Sequence, residues 1–241
     1  MKTSHVDVAW PLDPTFWERV NLGTRWGRYV WEVEKRAVLR AVTLAKGSGA
    51  ALEVGCDGGR WATFLADKGW HVTCTDTRPE ALELCSCRVP GAHCILAKAT
   101  DTTLPCDRSR MNLLLCIEVE AVCNQDWFIT EAHRVLTPGG ILVTTILNKA
   151  SLRAFFHAVA SGRDAAKMRS PDYYQVAYSG WRNKLVQSGF KVIHEEGCCW
   201  APFARDSDSL LVPLFVKLEE LLGLGHLTTL SPWVVVAAQK S

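Results

Sequence analysis

A glycine-rich turn between a strand and a helix is the first feature of this sequence that could do chemistry. The segment LEVGCDGGR occupies residues 52–60. In such a turn the backbone N–H groups lie where a ligand can approach closely. A second strand-like run, HVTCTD, ends at Asp76, and an acidic residue about 20 residues beyond such a turn can accept hydrogen bonds from both ribose hydroxyls. The order and spacing predict a nucleoside site; the alternatives are a cluster of turn glycines and an aspartate that caps a helix.

The elements that must position these residues alternate between strands and helices from residue 50 to residue 147. Short apolar runs predict the strands, and the run LLLCI predicts burial of the fourth strand on both faces. Alternation at this spacing implies parallel βαβ units with right-handed crossovers and helices on both faces of the sheet. The predicted strands are 51–55, 71–75, 93–97, 111–117 and 141–147, and the predicted helices between them are 60–68, 79–87 and 125–136.

Two further regions flank this core of residues 49–147. Residues 1–48 contain an amphipathic helix from about 27 to 45 and are expected to cover the nucleoside site. Residues 148–241 are expected to add a sixth and a seventh strand, at 190–195 and 233–238, with two cap segments between the strands. The cap segments are 148–180 and 198–232, and the second contains an apolar helix around 210–222.

In combination, these motifs resemble those of the class I S-adenosylmethionine (SAM)-dependent methyltransferases, especially the small-molecule enzymes related to quinone-biosynthesis methyltransferases. LEVGCDGG is similar to the family's first motif, VTCTD to its second, and TDTTLPCDRSRMNLLLCIEVEAV to its third region. EAHRVLTPGGILVTT is similar to the segment that leads into the fifth strand. The resemblance covers about residues 50–147. It implies an α/β, Rossmann-like sheet of seven strands in the order 3-2-1-4-5-7-6, with the last strand antiparallel, helices on both faces, a small cap, and SAM as the cofactor.

The resemblance also implies roles for individual residues. Asp76, with Thr77 beside it, would hold the ribose hydroxyls, and Thr100 or Asp101 would meet adenine. Tyr29 is a candidate for covering the cofactor, or alternatively packs its helix onto the sheet. The methionine and ribose parts would lie against the glycine-rich turn and the end of the fourth strand, at Glu53, Gly55, Cys56, Gly58, Gly59, Ile117 and Glu118.

Three positions depart from the family pattern. Asp57 replaces the middle glycine of the first motif, but Asp adopts a left-handed backbone more easily than most residues, so the turn is expected to survive. Thr100 and Asp101 stand where the family has an acidic residue and an alanine. Asn112 stands where an aspartate is common. The acidic ribose ligand is retained, and with it the expectation of SAM binding.

Methyl transfer from a sulfonium mainly requires alignment of the acceptor and exclusion of water, with a base only for an acceptor that keeps its proton. The candidates for contact with the acceptor are His157 and Asn148, after the fifth strand, and Tyr173, Tyr174 and Tyr178. Aromatic residues in the flanking segments either suit a small apolar or aromatic acceptor or serve only to pack the cap onto the sheet. Oxygen is favoured over nitrogen or carbon as the methylated atom.

Composition limits the other functions. The formal net charge is +2 and no basic run occurs, so nucleic acid is not expected as a substrate. No signal peptide or membrane span is predicted, and a cytoplasmic location and a homodimer are expected. The ten cysteines contain no CxxC pair, so no metal site is predicted and most thiols are expected to be reduced, buried and apolar in character.

Two alternatives remain at this stage. One is a nicotinamide-dependent oxidoreductase, although GCDGG lacks the G-x-G-x-x-G spacing. The other is a non-catalytic SAM-binding partner subunit, to which the departures at Asp57 and Asn112 point.

Overall fold

The computed structural model describes residues 13–45, 48–161 and 174–241, with the backbone alone at 157–161. Seven strands form one sheet in the order β3-β2-β1-β4-β5-β7-β6, as predicted. The strands are β1 Ala50–Val54, β2 His71–Asp76, β3 His93–Leu96, β4 Met111–Cys116, β5 Leu136–Leu147, β6 Phe190–Cys198 and β7 Trp233–Lys240. Strand β7 is antiparallel to both of its neighbours, β5 and β6. The pairs β3–β2, β2–β1, β1–β4 and β4–β5 are all parallel.

Helices cover both faces of the sheet, and an apolar core lies under each layer. They are α1 Phe16–Gly23, α2 Arg25–Leu44, α3 Arg60–Ala66, α4 Pro79–Arg88, α5 Glu120–Cys123, α6 Asp126–Val135, α7 Leu152–Ser161, α8 Tyr178–Gln187 and α9 Val212–Leu221, with a 3-10 turn at Leu224–His226. Helix α2 begins where the Thr24 side chain accepts a hydrogen bond from the Gly27 N–H at 3.0 Å. One core contains α2, α3 and α4, and the other contains α6 and α8.

The start of β5 differs from the sequence prediction. The pattern predicts a helix to residue 136, a Pro-Gly-Gly stop and a strand from 141, whereas α6 ends at Val135 and β5 begins at Leu136. Leu136 pairs with Met111 of β4, and the register then shifts before Leu113 pairs with Ile141. The Pro-Gly-Gly segment therefore lies within an irregular strand, because the chain regains its pairing after the bulge.

The parallel strands bring their carboxyl ends to a single edge of the sheet. Strand β1 ends at Val54, β2 at Asp76 and β4 at Cys116. The order reverses between β1 and β4, so this edge contains the switch point at which open α/β sheets bind ligands. The described residues contain no helix long and apolar enough to cross a membrane.

Candidate cofactor and acceptor site

The glycine-rich loop after β1 alternates left-handed and ordinary backbone conformations. Gly55, Asp57 and Gly59 have φ values of 69°, 49° and 84°, and the left-handed conformation predicted for Asp57 is thus confirmed. A Cβ on Gly55 would lie 2.6 Å from Cγ2 of Val119, which leaves room only for glycine. The N–H groups of Gly55 and Cys56 both donate to the Thr75 carbonyl, at 2.8 and 2.9 Å, and fix the loop to β2.

Asp76 lies at the end of β2, directly across from this loop. Its Oδ2 accepts a hydrogen bond from the Asp57 N–H at 2.9 Å, and its Oδ1 accepts one from the Arg78 N–H at 3.0 Å. The Arg78 guanidinium lies 3.4 Å from Asp76 Oδ1 and also pairs with the Asp57 carboxylate. Residue Arg78, not Asp76, is the N-cap of α4. The Asp76 carboxylate is therefore fixed at the end of β2 by the glycine-rich loop. Asp76 does not cap helix α4, so that alternative does not apply.

A cavity of about 250 Å³ opens beside the loop. All of the residues predicted for the methionine part of the cofactor except Gly59 line it, together with aromatic and charged side chains from distant segments. From the prediction these are Glu53, Gly55, Cys56, Gly58, Ile117 and Glu118, and the additional side chains include Trp17, Trp26, Trp61, Glu120, Arg153, Tyr174, Arg205 and Trp233.

Two arginines, the buried Glu34 and the half-buried Glu118 form a charged cluster at this cavity. Arg205, from the segment after β6, pairs with Glu118, and Arg60 Nη2 lies 3.5 Å from Glu34 Oε2. Burial raises the pKa of Glu34 well above its usual range. Burial also opposes ionisation of Glu118, but Arg205 and its other partners hold the pKa of Glu118 below the usual value. The cluster thus keeps Glu118 ionised while Glu34 favours its protonated form.

Several polar atoms of the cavity lining are buried without a hydrogen-bond partner among the described residues. They are Glu53 Oε2, Arg60 Nη1 and the Nε and Nη1 atoms of Arg205. Buried polar groups normally have partners, so these atoms indicate a polar ligand. The methionine part of SAM carries an ammonium and a carboxylate, which match the unpaired oxygen of Glu53 and the unpaired guanidinium nitrogen of Arg60. The residues present therefore fit this cofactor.

Glu120 is a functional candidate that the sequence analysis missed. It begins α5, two residues after Glu118, and lines the cavity. Burial raises its pKa to about 7, with a further contribution from the charge of Glu118. A carboxylate with a pKa near neutrality can act as a general base. Its position in EVEAV gives no signal, because any glutamate at a helix start has the same pattern.

The remaining predicted cofactor residues lie outside the cavity lining. Thr77, Thr100 and Asp101 are exposed, after the ends of β2 and β3, and the Asp101 carboxylate accepts the Lys98 N–H at 2.8 Å. Tyr29 donates to Glu219 of α9, and its hydroxyl accepts the Cys199 N–H at 3.3 Å. These contacts favour the packing alternative for Tyr29. The ribose and adenine assignments stay predictions, at the outer part of the same sheet edge.

The structure gives the predicted acceptor residues different positions. Asn148 is buried, and its amide donates to the Thr229 and Ser231 carbonyls and accepts N–H groups of Ala150 and Tyr178. These bonds indicate a structural role for Asn148 in place of the predicted contact with the acceptor. Tyr174 lines the cavity. Tyr178 is buried, and its hydroxyl donates a hydrogen bond to Glu195. Tyr173 and the side chain of His157 lie outside the described residues.

Known proteins share this domain and fold. Residues 52–144 match the family model described as a methyltransferase domain. An uncharacterized methyltransferase of Synechocystis sp. is 26% identical over 147 residues, which are 60% of this chain and 68% of that protein. A SAM-dependent methyltransferase of Mesorhizobium loti superposes with a TM-score of 0.60 at 16% identity, covering 86% of this chain and 98% of the other.

Another fold neighbour is the 4+2-cyclase SpnF, with a TM-score of 0.58, 17% identity and coverage of 87% of this chain and 80% of that one. Structural neighbours at such identities show the fold, and the domain match supplies the activity. Together they support SAM-dependent methyltransferase activity, with S-adenosylmethionine as the cofactor and a methyltransferase domain at residues 52–144. The nicotinamide-dependent alternative is thereby set aside.

Proposed function

We propose that the chain transfers the methyl group of SAM to an oxygen atom of a small, apolar or aromatic acceptor bound in the cavity. The observation that carries this proposal is the convergence of four tryptophans and Glu120 on the cavity beside the glycine-rich loop. Trp17 and Trp26 come from the N-terminal helices, Trp61 from α3 and Trp233 from β7. Aromatic walls with a few polar groups are typical of sites for small organic molecules.

The same residues suggest how the cofactor would be held. Asp76 would accept hydrogen bonds from the ribose hydroxyls, and Thr100 or Asp101 would meet adenine. Glu53 would pair with the ammonium of the methionine part, and Arg60 with its carboxylate, because each has an unpaired buried atom. When bound, SAM supplies a methyl group activated by its sulfonium sulfur.

The protein's own part in the reaction is to orient the acceptor and to accept its proton. The tryptophans would exclude water and orient an acceptor hydroxyl toward the methyl group that bound SAM supplies. Glu120 would accept the proton that the hydroxyl loses when its oxygen is methylated. A phenolic hydroxyl near neutral pH keeps its proton, so a base is needed for this acceptor class.

The test is methyl transfer from radiolabelled SAM to a panel of small phenols, with matched anilines and thiophenols. We expect transfer to phenols, with kcat/KM rising as pH increases through about 7 because Glu120 must be ionised. Glu120→Gln should lower kcat at least 100-fold, at the lower end of about 10²–10⁴ for general-base catalysis, and remove this pH dependence, while affinity for S-adenosylhomocysteine (SAH) is kept.

Glu83→Gln is the control, since it removes an exposed carboxylate on α4 and should retain the wild-type profile. Transfer to amines alone, or wild-type kcat in Glu120→Gln, would overturn the proposal. Binding of SAH without transfer to any acceptor would favour the non-catalytic partner subunit.

We also propose a small-molecule acceptor and not a nucleic acid, a homodimer, and a cytoplasmic location. The small net charge supports a small-molecule acceptor over a nucleic acid. An exposed row of apolar side chains on α9, including Leu214, Leu218 and Leu221, supports the homodimer. Light scattering of the purified protein at several concentrations tests the homodimer: a mass near 53 kDa, twice the 26.7 kDa of the chain, is expected.

A further inference from the structure

Four cysteines that are far apart in the sequence converge beneath the glycine-rich loop, which is called the cofactor loop below. Cys74 of β2 lies in register with Cys94 of β3, so both side chains project from the same face of the sheet. Cys85 of α4 packs over this face, and Cys56 reaches it from the glycine-rich loop. The set therefore combines donors from a loop, two strands and a helix.

The distances within this set are short. The Sγ atoms of Cys56, Cys74 and Cys85 all lie within 4.8 Å of one another, and all three residues are buried. The half-buried Cys94 packs against the same core, next to Cys74 in the sheet register.

We propose that Cys56, Cys74, Cys85 and Cys94 bind one Zn²⁺ ion. Zinc prefers four tetrahedral ligands and accepts four thiolates at about 2.3 Å, which places the sulfur atoms about 3.8 Å apart. The Sγ atoms of Cys56, Cys74 and Cys85 need only a small contraction to reach that spacing, and the half-buried Cys94 side chain would turn toward them to complete the set. The thiols release their protons to solvent on binding.

The location gives the ion a structural effect on the cofactor loop. Cys56 follows Gly55 in that loop, and a Cβ on Gly59 would lie only 2.8 Å from Cys85 Sγ, so α4 packs tightly against the loop. A bound ion would tie the loop to β2, β3 and α4. The proposal does not rest on the identity of the acceptor or on Glu120.

The experiment is metal titration of the untagged, full-length protein, reduced and treated with a chelator. We expect one Zn²⁺ per chain by elemental analysis after reconstitution, and a thiolate-to-metal charge-transfer band when Cd²⁺ or Co²⁺ replaces zinc. Cys85→Ala and Cys74→Ala should weaken zinc binding more than 100-fold, because loss of a ligand exceeds the 10–100-fold cost of losing an outer partner. Zinc should also raise the melting temperature of the wild type.

Cys116→Ala is the matched control, since Cys116 is as fully buried as Cys85 but lies in β4, in the opposite core. It should bind zinc as the wild type does. Cys94→Ser, at a half-buried position on the edge strand, replaces either core variant that fails to fold. The proposal is overturned if the reduced wild type takes up no metal, or if the folded cluster variants bind as tightly as the wild type; the thiols then serve only to pack the core.

Discussion

The glycine-rich loop and the segment after β6 line one cavity, but they reach it by different means. The loop is built from contiguous residues, and its conformation is fixed by its own glycines and by two hydrogen bonds to Thr75. Arg205 reaches the cavity because residues far away in sequence hold its segment: the Trp26 N–H donates to the Ser207 carbonyl at 3.1 Å, and Tyr29 donates to Glu219. The cofactor side, which is the glycine-rich loop, is therefore encoded locally. The position of the segment after β6, which the proposed function makes the acceptor side, depends on tertiary contacts.

The largest expected effect is the fall in the free energy of unfolding caused by Arg205→Ala. The variant leaves Glu118 as a charge in a largely buried cluster without its partner, which costs about 3–5 kcal/mol. The free energy of unfolding from urea titration should fall by that amount. Lys184→Ala removes a cation from an exposed ion pair and should leave the urea midpoint unchanged. Equal, small effects of the two variants would mean that Arg205 does not hold the acceptor side together.

The cofactor side is tested by Gly55→Ala. A left-handed backbone costs a non-glycine residue about 1–2 kcal/mol, and the new Cβ would also lie 2.6 Å from Val119. We expect reduced stability and loss of SAH affinity in calorimetry. Gly91→Ala provides the control, because a Cβ there has no neighbour within 4 Å. Wild-type affinity in Gly55→Ala would show that the loop conformation is not needed for binding.

A smaller effect is expected from Asp57→Gly, which supplies the glycine of the family motif. The change removes the strain at φ 49° but also the ion pair with Arg78, so the two effects oppose one another. The affinity for SAH should change by less than about fivefold, equivalent to less than about 1 kcal/mol. A large gain in affinity would mean that Asp57 weakens the site.

The difference between the two sides also explains what the sequence could predict. The order of the sheet, and the set of residues that brings the glycine-rich loop and the end of β4 to the cavity, follow from motifs that are contiguous or regularly spaced. Arg205 lies in ARDSDS, a polar segment without periodicity, and only its packing against the N-terminal helices brings it to Glu118. The role of Asn148 likewise depends on carbonyl groups of residues 229 and 231.

The cysteines show the same limit. The spacing of the cysteines in the sequence predicts no metal site, because no CxxC pair occurs. A CxxC pair, however, indicates only ligands that lie on one turn or hairpin. In a parallel sheet, neighbouring strands are separated by a whole helix, so Cys74 and Cys94 are adjacent in space and distant in sequence. A register prediction, and not a motif, would have been needed to bring them together.

Calorimetric titration with SAH tests the central claim, that the edge beside the glycine-rich loop and Asp76 binds SAM. Two hydrogen bonds from ribose to a carboxylate are worth at least about 3 kcal/mol. Asp76→Ala should therefore weaken SAH binding about 100-fold or more, while thermal melting confirms that the variant is folded. Wild-type protein should bind SAH and not NAD. Failure of folded, cofactor-free wild type to bind SAH, or equal affinity in Asp76→Ala, would contradict the account.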